Sequence, residues 1–164
     1  MTATARRHEA QEHDVAARIA ALDAANLAAS LDAGGYAVLP ALLAPEECAG
    51  LAAQYDDRAR FRSRVVMARH GYGQGEYQYF AYPLPLLLEQ LRSALYSRLA
   101  PFANRWVDQL GLSASAKAAH DDRPFYPANL IDFLAHCYAL GQRRPTPLIL
   151  RYEAGGYNCL HQDL

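Results

Sequence analysis

The segment 147–163 constrains the fold more than any other part of the sequence. Residues 147–152 predict a strand, residues 153–156 form a glycine-containing turn, and residues 157–163 predict a second strand. Residues two apart on a strand point to the same side, so we expect His161 and Asp163 to face one cavity. An imidazole and a carboxylate on one face are two of the three ligands of the 2-His-1-carboxylate site that holds non-haem Fe(II).

The His-x-Asp pair is weakly specific by itself. A second copy occurs at His120 and Asp122, within an Ala/Ser-rich and then charged stretch at residues 111–124. We interpret that stretch as a solvated loop and the second copy as unrelated to metal binding. Whether the last copy binds a metal therefore has to be judged from the residues around it.

Composition excludes several classes of protein. Of the 164 residues, 52% are hydrophobic and 20% are charged, which indicates a globular chain. The net charge of −1 excludes a generally basic surface for nucleic acid. No apolar run is long enough to span a membrane, and the first twelve residues do not form a secretory signal. The three cysteines predict reduced thiols, so we expect a cytoplasmic location without membrane contact.

The pattern of apolar residues predicts a flexible arm at residues 1–14 and a single domain over residues 15–164. One helix or two joined helices are predicted at residues 15–33, and further helices from Pro45 onward, from Leu86 to about Leu110, and at residues 129–140. Residues 36–39 predict a short buried strand, and residues 58–69 an extended segment with an arginine at every second position from Arg58 to Arg64.

The terminal motif resembles a known superfamily. Tyr152 and Gly155 form a Tyr-x-x-Gly turn that precedes His161-x-Asp163, an arrangement similar to that of Fe(II)/2-oxoglutarate-dependent dioxygenases, both prolyl 4-hydroxylase-like and AlkB-like. The phrases at residues 69–77, 82–85 and 145–148 resemble a bacterial 2OG-Fe(II) oxygenase family linked by name to repair of alkylated DNA. The resemblance extends over about residues 20–164.

This resemblance implies an α+β fold, in which a helical lead-in precedes the first strands of a double-stranded β-helix, or jelly roll. It implies that His161 and Asp163 bind Fe(II) and that Tyr152 helps to hold the co-substrate 2-oxoglutarate. The implied reaction is hydroxylation or oxidative demethylation. The substrate class stays open among a methylated base in nucleic acid, a protein side chain and a small molecule.

The sequence departs from the family pattern after the motif. The family's second histidine ligand and its basic 2-oxoglutarate-binding residue come later in the chain, whereas no histidine follows His161 here. Leu150 also replaces an asparagine of the AlkB-like pattern. We therefore expect a C-terminally truncated chain with an incomplete core, which binds Fe(II) poorly, does not turn over alone, and self-associates through unpaired strands.

Two alternatives to an enzyme remain at this stage. The chain is a non-enzymatic remnant or partner-binding fragment, or it is a zinc module that uses His161, Asp163 and Cys159. Cys159 is otherwise a small lining residue, whereas Cys48 and Cys137 are expected in the core.

The alternating arginines and the tyrosines of residues 72–82 have two interpretations. The arginines contact phosphates while the tyrosines stack on bases, or the arginines pair with Asp56, Asp57 or Glu76 at a solvent-facing edge. Gly71, Gly73 and Gly75 lack the context of a phosphate-binding fingerprint, so we interpret them as a flexible loop near the substrate entrance.

Overall fold

The computed structural model describes residues 15–111 and 125–161. The chain divides into two compact units, one comprising Met1–Leu43 and Pro85–Arg143 and the other Ala44–Leu84 and Arg144–Leu164. Helices and antiparallel strands together give the predicted α+β class; the jelly roll and the single oxygenase domain stay predictions. No helix among the described residues is both long and apolar enough to cross a membrane.

The helices are α1 (residues 15–20), α2 (Ala24–Gly34), α3 (Pro45–Ala52), α4 (Leu86–Gln109) and α5 (Leu130–Ala139). The strands are β1 (Phe61–Val66), β2 (Gly73–Gln74), β3 (Glu76–Phe80), β4 (Leu148–Arg151) and β5 (Tyr157–Asn158). Short 3₁₀ turns at Arg58–Arg60 and Met67–His70 flank β1.

Capping groups explain where the helices begin and end. The Asp23 carboxylate accepts hydrogen bonds from the backbone N–H groups of Ala25 and Asn26 at the start of α2. Gly35 ends α2 with φ at 73°, a left-handed conformation that glycine adopts without a steric penalty. Asn129 caps α5 by accepting from the N–H of Asp132 at 2.9 Å. These ends agree with the predicted helices.

The helical unit is held together by contacts to α4. The Tyr96 hydroxyl donates to the carbonyl of Pro127 at 2.8 Å, and the Tyr96 ring stacks on Phe133 of α5 at 5.2 Å. Arg98 donates to the carbonyls of Ala20, the last residue of α1, and of Leu22, which follows it. The helix α4 continues through Pro101 as a single element, as the sequence indicates.

The second unit contains two antiparallel sheets. β3 is the central strand of a sheet in the order β1-β3-β4, and β2 pairs with β5. β3 presents Gln78 and Phe80 to the interior, where both are buried. The Gln78 side chain donates to the carbonyl of Tyr55 at 2.7 Å, and Phe80 contacts the Phe61 ring at 4.7 Å. This packing fixes one face of the sheet and leaves the opposite face for other contacts.

Three sequence expectations are wrong. Residues 36–39 do not form a strand, and Tyr36 and Val38 are 71% and 75% exposed, because no partner strand lies beside them in the described structure. The ladder of the predicted strand 157–163 contains only Tyr157 and Asn158 within the described residues. Cys48 is exposed because it lies on a surface of α3 and not in the core. The predicted arm at residues 1–14 lies outside the described residues. The same holds for the second His-x-Asp copy, at His120 and Asp122, and separately for Asp163.

Candidate functional site: an aromatic cleft beside His161

Glycines bring the terminal segment close to β2. A β-carbon on Gly73 would lie 2.2 Å from the carbonyl oxygen of Tyr157, and the φ of Gly73 is 123°, so only glycine fits there. A β-carbon on Gly156 would lie 2.9 Å from the carbonyl oxygen of Gln74. These glycines therefore serve close backbone packing, which the prediction of a flexible loop did not anticipate.

One further backbone hydrogen bond extends the contact between the β2 and β5 segments toward His161. The N–H of Cys159 donates to the carbonyl of Tyr72 at 2.9 Å, directly after the paired residues of β5. The segment at residues 157–161 is thereby held along the edge of the loop that precedes β3.

A cleft of about 650 Å³ lies between this segment and one face of the three-stranded sheet. Its aromatic lining consists of Tyr72, Tyr77 and Tyr79, and its aliphatic lining of Met67, Leu148, Leu150 and Leu160. Gly71, Asn158, Cys159 and His161 complete it. The cleft thus joins the predicted tyrosine cluster to the predicted metal ligand His161, and it confirms Cys159 as a lining residue.

The strand register explains why the tyrosines face the cleft. Tyr77 pairs with Leu150, and Tyr79 pairs with Leu148, so these side chains share one face of the sheet. The rings of Tyr77 and Tyr79 meet edge to face at 5.6 Å. Burial raises the pKa of the Tyr77 hydroxyl, and the neighbouring Tyr79 and Tyr72 raise it further. Both effects favour the neutral form of the Tyr77 hydroxyl.

The His161 ring is oriented by its own backbone. Nδ1 lies 2.8 Å from the carbonyl oxygen of Cys159, so this nitrogen carries the proton and donates it to the carbonyl. In the neutral tautomer that makes this hydrogen bond, the lone pair lies on Nε2. Metal-bound histidines commonly show this arrangement, in which a backbone carbonyl accepts from the second ring nitrogen.

Of the other two predicted site residues, Tyr152 and Asp163, only Tyr152 is among the described residues. Asp163 lies outside the described residues. Tyr152 follows β4, with its ring over Gly75, where a β-carbon would lie 2.7 Å from Cδ1. Alternation from Leu148 and Leu150 assigns Tyr152 to the cleft side of the sheet, although it does not contribute to the cleft lining. Its role toward 2-oxoglutarate stays a prediction.

A metal centre needs more donors than this arrangement supplies. Within residues 15–111 and 125–161, no three His, Cys, Asp or Glu side chains come together as a metal-binding group. His161 offers one suitably oriented nitrogen, and Asp163 is the second residue of the predicted pair.

The opposite face of the sheet carries a charged network around Glu76. Arg64 donates to Glu76 from Nε at 2.9 Å, and Arg151 binds both Glu76 and Asp56, at 2.5 and 3.1 Å. Burial opposes ionisation of Glu76, but Arg64, Tyr55 and Arg151 outweigh it, so the pKa of Glu76 lies below its usual value. This network ties β1, β3 and β4 together.

Tyr55 is enclosed by the same network. The Arg151 guanidinium lies 4.3 Å from the centre of the Tyr55 ring. Burial, followed by the Glu76 carboxylate, raises the pKa of Tyr55 to about 12. The arginine and the tyrosine thus help to fix the end of β4, directly before Tyr152 and the turn at residues 153–156.

Two of the alternating arginines pair with carboxylates, as one of the two interpretations of the sequence expects. Arg60 pairs with Asp57, and Arg64 pairs with Glu76. Arg62 instead lies over the Tyr79 ring, with its guanidinium carbon 4.4 Å from the ring centre. The sequence did not reveal this contact, because a β-bulge between Phe61 and Ser63 interrupts the alternation. The aliphatic members of the cleft were missed as well, since their apolar pattern is equally typical of a core strand.

The fold and site define an α+β protein with an imidazole beside an aromatic cleft. Residues 75–164 match the Oxygenase-NA family, described as an oxygenase that catalyses oxidative methylation of damaged DNA. The match covers more than half of the chain, so the chain belongs to this family. The matched region contains Tyr77, Tyr79, Tyr152, His161 and Asp163.

Two curated relatives come from Mycobacterium tuberculosis. They are uncharacterized protein MT2286 of strain CDC 1551 and uncharacterized protein Rv2227 of strain H37Rv. Each is 41% identical over 85 residues, which cover 52% of this chain and 32% of the relative. The matched segment thus spans about a third of the length of these relatives. No solved structure matches the chain.

Proposed function

We propose that this chain supplies two Fe(II) ligands and the substrate cleft of a 2-oxoglutarate-dependent oxygenase that acts on alkylated bases in DNA. The observation that carries the proposal is the position of His161, whose ring lines an aromatic cleft within the region that matches an oxygenase family. The family description supports damaged DNA as the substrate class.

The orientation of His161 supports its role as a ligand. Its Nδ1–H bond to the Cys159 carbonyl directs the lone pair to Nε2, and this nitrogen would bind the metal. Asp163 would supply a carboxylate oxygen two residues later. The chemistry that bound Fe(II) and 2-oxoglutarate supply is oxidation of a C–H bond by O2.

The cleft provides the binding half of the site. Its volume of about 650 Å³ is in the range of small-molecule sites and accommodates a nucleobase. Tyr77 and Tyr79 offer aromatic rings, on which an unpaired base can stack. Leu148 and Leu150 add apolar side chains to the wall of the cleft.

Two ligands hold a transition metal less tightly than three. Because no histidine follows His161 in these 164 residues, we expect this polypeptide to bind divalent metal more weakly than micromolar and to lack turnover by itself.

Isothermal titration with Mn(II) in the absence of oxygen tests the proposal. We expect weak 1:1 binding to the 164-residue chain and a reduction of at least tenfold in H161A, by the usual cost of losing part of a metal site. The matched control is H136A, which removes a histidine of α5 in the other unit.

The outcomes separate the two parts of the proposal. Equal Mn(II) binding by H161A and the unsubstituted chain would contradict the assigned ligand. Micromolar binding together with 2-oxoglutarate decarboxylation by the 164 residues would contradict the expected lack of turnover, but not the site itself.

A further inference from the structure

A β-bulge gives Arg62 an orientation that its neighbours lack. Phe61 pairs with Phe80, and Ser63 pairs with Tyr79, so Arg62 is the extra residue opposite β3. A bulge of this kind redirects a side chain. Here it brings the Arg62 guanidinium over the ring of Tyr79, which lines the aromatic cleft.

The Arg62 guanidinium is held by neutral groups. Its Nε–H donates to the Thr146 hydroxyl at 2.8 Å, and one Nη2–H donates to the carbonyl of Arg144 at 3.2 Å. A guanidinium has five N–H donors, so these two contacts orient the group and leave further N–H groups to bind a ligand. Stacking on Tyr79 restricts its motion further.

Arg62 also differs from nearby arginines in having no carboxylate partner among the described residues. Arg60 forms an ion pair with Asp57, and both Arg64 and Arg151 bind Glu76. Within the described part of the chain, the contacts of Arg62 are to a hydroxyl, a carbonyl and an aromatic ring, so no carboxylate neutralises it. It is an exposed, pre-oriented positive charge beside the cleft.

We propose that Arg62 binds a phosphodiester of the DNA strand whose unpaired base occupies the aromatic cleft. The planar guanidinium presents paired N–H donors to phosphate oxygens, which suits it to this contact. Phosphate contacts fix the register of a strand on a protein, so Arg62 is a positioning residue that sets which base reaches the cleft. This inference rests on the proposed function for its substrate class.

The test is the salt dependence of DNA binding, followed by fluorescence anisotropy with a short fluorescein-labelled oligothymidylate. Loss of one phosphate contact to a single strand reduces the slope of log K against log salt by ~0.7. We expect this reduction in R62Q. R60Q carries the same change in charge on an arginine already paired with Asp57, and we expect its slope to equal that of the unsubstituted chain.

A third variant separates phosphate binding from structural support. T146V removes the hydroxyl that accepts from Arg62 but keeps the guanidinium charge. We expect T146V and R62Q to lower the thermal midpoint similarly, while only R62Q reduces the salt slope.

An unchanged slope in R62Q would overturn the proposal, as would equal reductions in R62Q and R60Q or in R62Q and T146V. Absence of oligothymidylate binding at low salt would overturn it too, yet would leave Mn(II) binding at His161 intact. Conversely, if H161A binds Mn(II) as tightly as the unsubstituted chain while R62Q still reduces the salt slope, only the oxygenase proposal is rejected.

Discussion

The sequence indicated only one of the two arginine partners of Glu76. Its pairing with Arg64 was among the expected alternatives, whereas its contact with Arg151, 75 positions later, depends on β3 and β4 being neighbours. At the residue scale, short-range partners are therefore predictable from strand alternation. Contacts created by a bulge or by a distant strand, such as that of Arg62 with Tyr79, are not.

The lowered pKa of Glu76 predicts a dependence of stability on pH. A carboxylate whose pKa falls on folding stabilises the folded chain above its unfolded pKa of about 4.3, and this contribution disappears as pH falls through the folded pKa. We expect E76Q to lose about 1.5–3 kcal/mol of unfolding free energy at pH 7, the usual value of hydrogen bonds to charged groups.

Urea denaturation from pH 7 to pH 3 measures this effect. The difference between E76Q and the unsubstituted chain should shrink as the pH falls below about 4.3. E153Q, which alters an exposed turn carboxylate, serves as the control. A difference that stays constant with pH would show that the carboxylate charge of Glu76 does not stabilise the fold.

The elements differ in how far local sequence determines them. α3 and α5 begin at a proline or a capping residue, and these local signals favour the helices predicted from Pro45 onward and at residues 129–140. Residues 36–39 have the composition of a strand but no neighbouring strand in the described structure, so composition was insufficient. Likewise, the ladder of β5 ends at Asn158 because β2, its partner, has only two residues.

The pairing of β2 with β5 predicts a strong requirement for glycine at position 73. Gly73→Ala places a β-carbon 2.2 Å from the Tyr157 carbonyl oxygen and retains a φ of 123°, so the backbone has to shift. We expect a loss of about 1–3 kcal/mol in unfolding free energy, since strained backbone conformations have that cost.

Gly50→Ala is the matched control for this substitution. Gly50 lies within α3, and a β-carbon there meets no atom within 4 Å, so we expect a gain of about 0.5–1 kcal/mol. Thermal and urea unfolding compare the two variants. If Gly73→Ala is as stable as the unsubstituted chain, the close approach of β2 and β5 is not a constraint on the fold.

At the scale of the whole molecule, the described sheet has open edges. β1 and β4 each pair only with β3 among the described strands, and Leu148 and Leu150 on β4 are 37% and 43% exposed. Such edges pair readily with another chain. We therefore expect the 164-residue polypeptide to self-associate, as its sequence also predicts.

Light scattering across a concentration series measures this association. Leu150→Lys places a charge at the edge strand and should shift the distribution toward monomer. Leu110→Lys alters an exposed leucine after α4 in the other unit and should leave the distribution unchanged. A monomer at all concentrations would contradict the expected edge pairing.

The central claim is that His161 binds a divalent metal beside the aromatic cleft. Its most direct test is paramagnetic broadening of amide NMR signals by substoichiometric Mn(II), a measurement that also detects weak sites. We predict selective broadening at Cys159, Leu160 and His161 that disappears in H161A. Broadening that persists in H161A, or that leaves these three signals unaffected, would contradict the account.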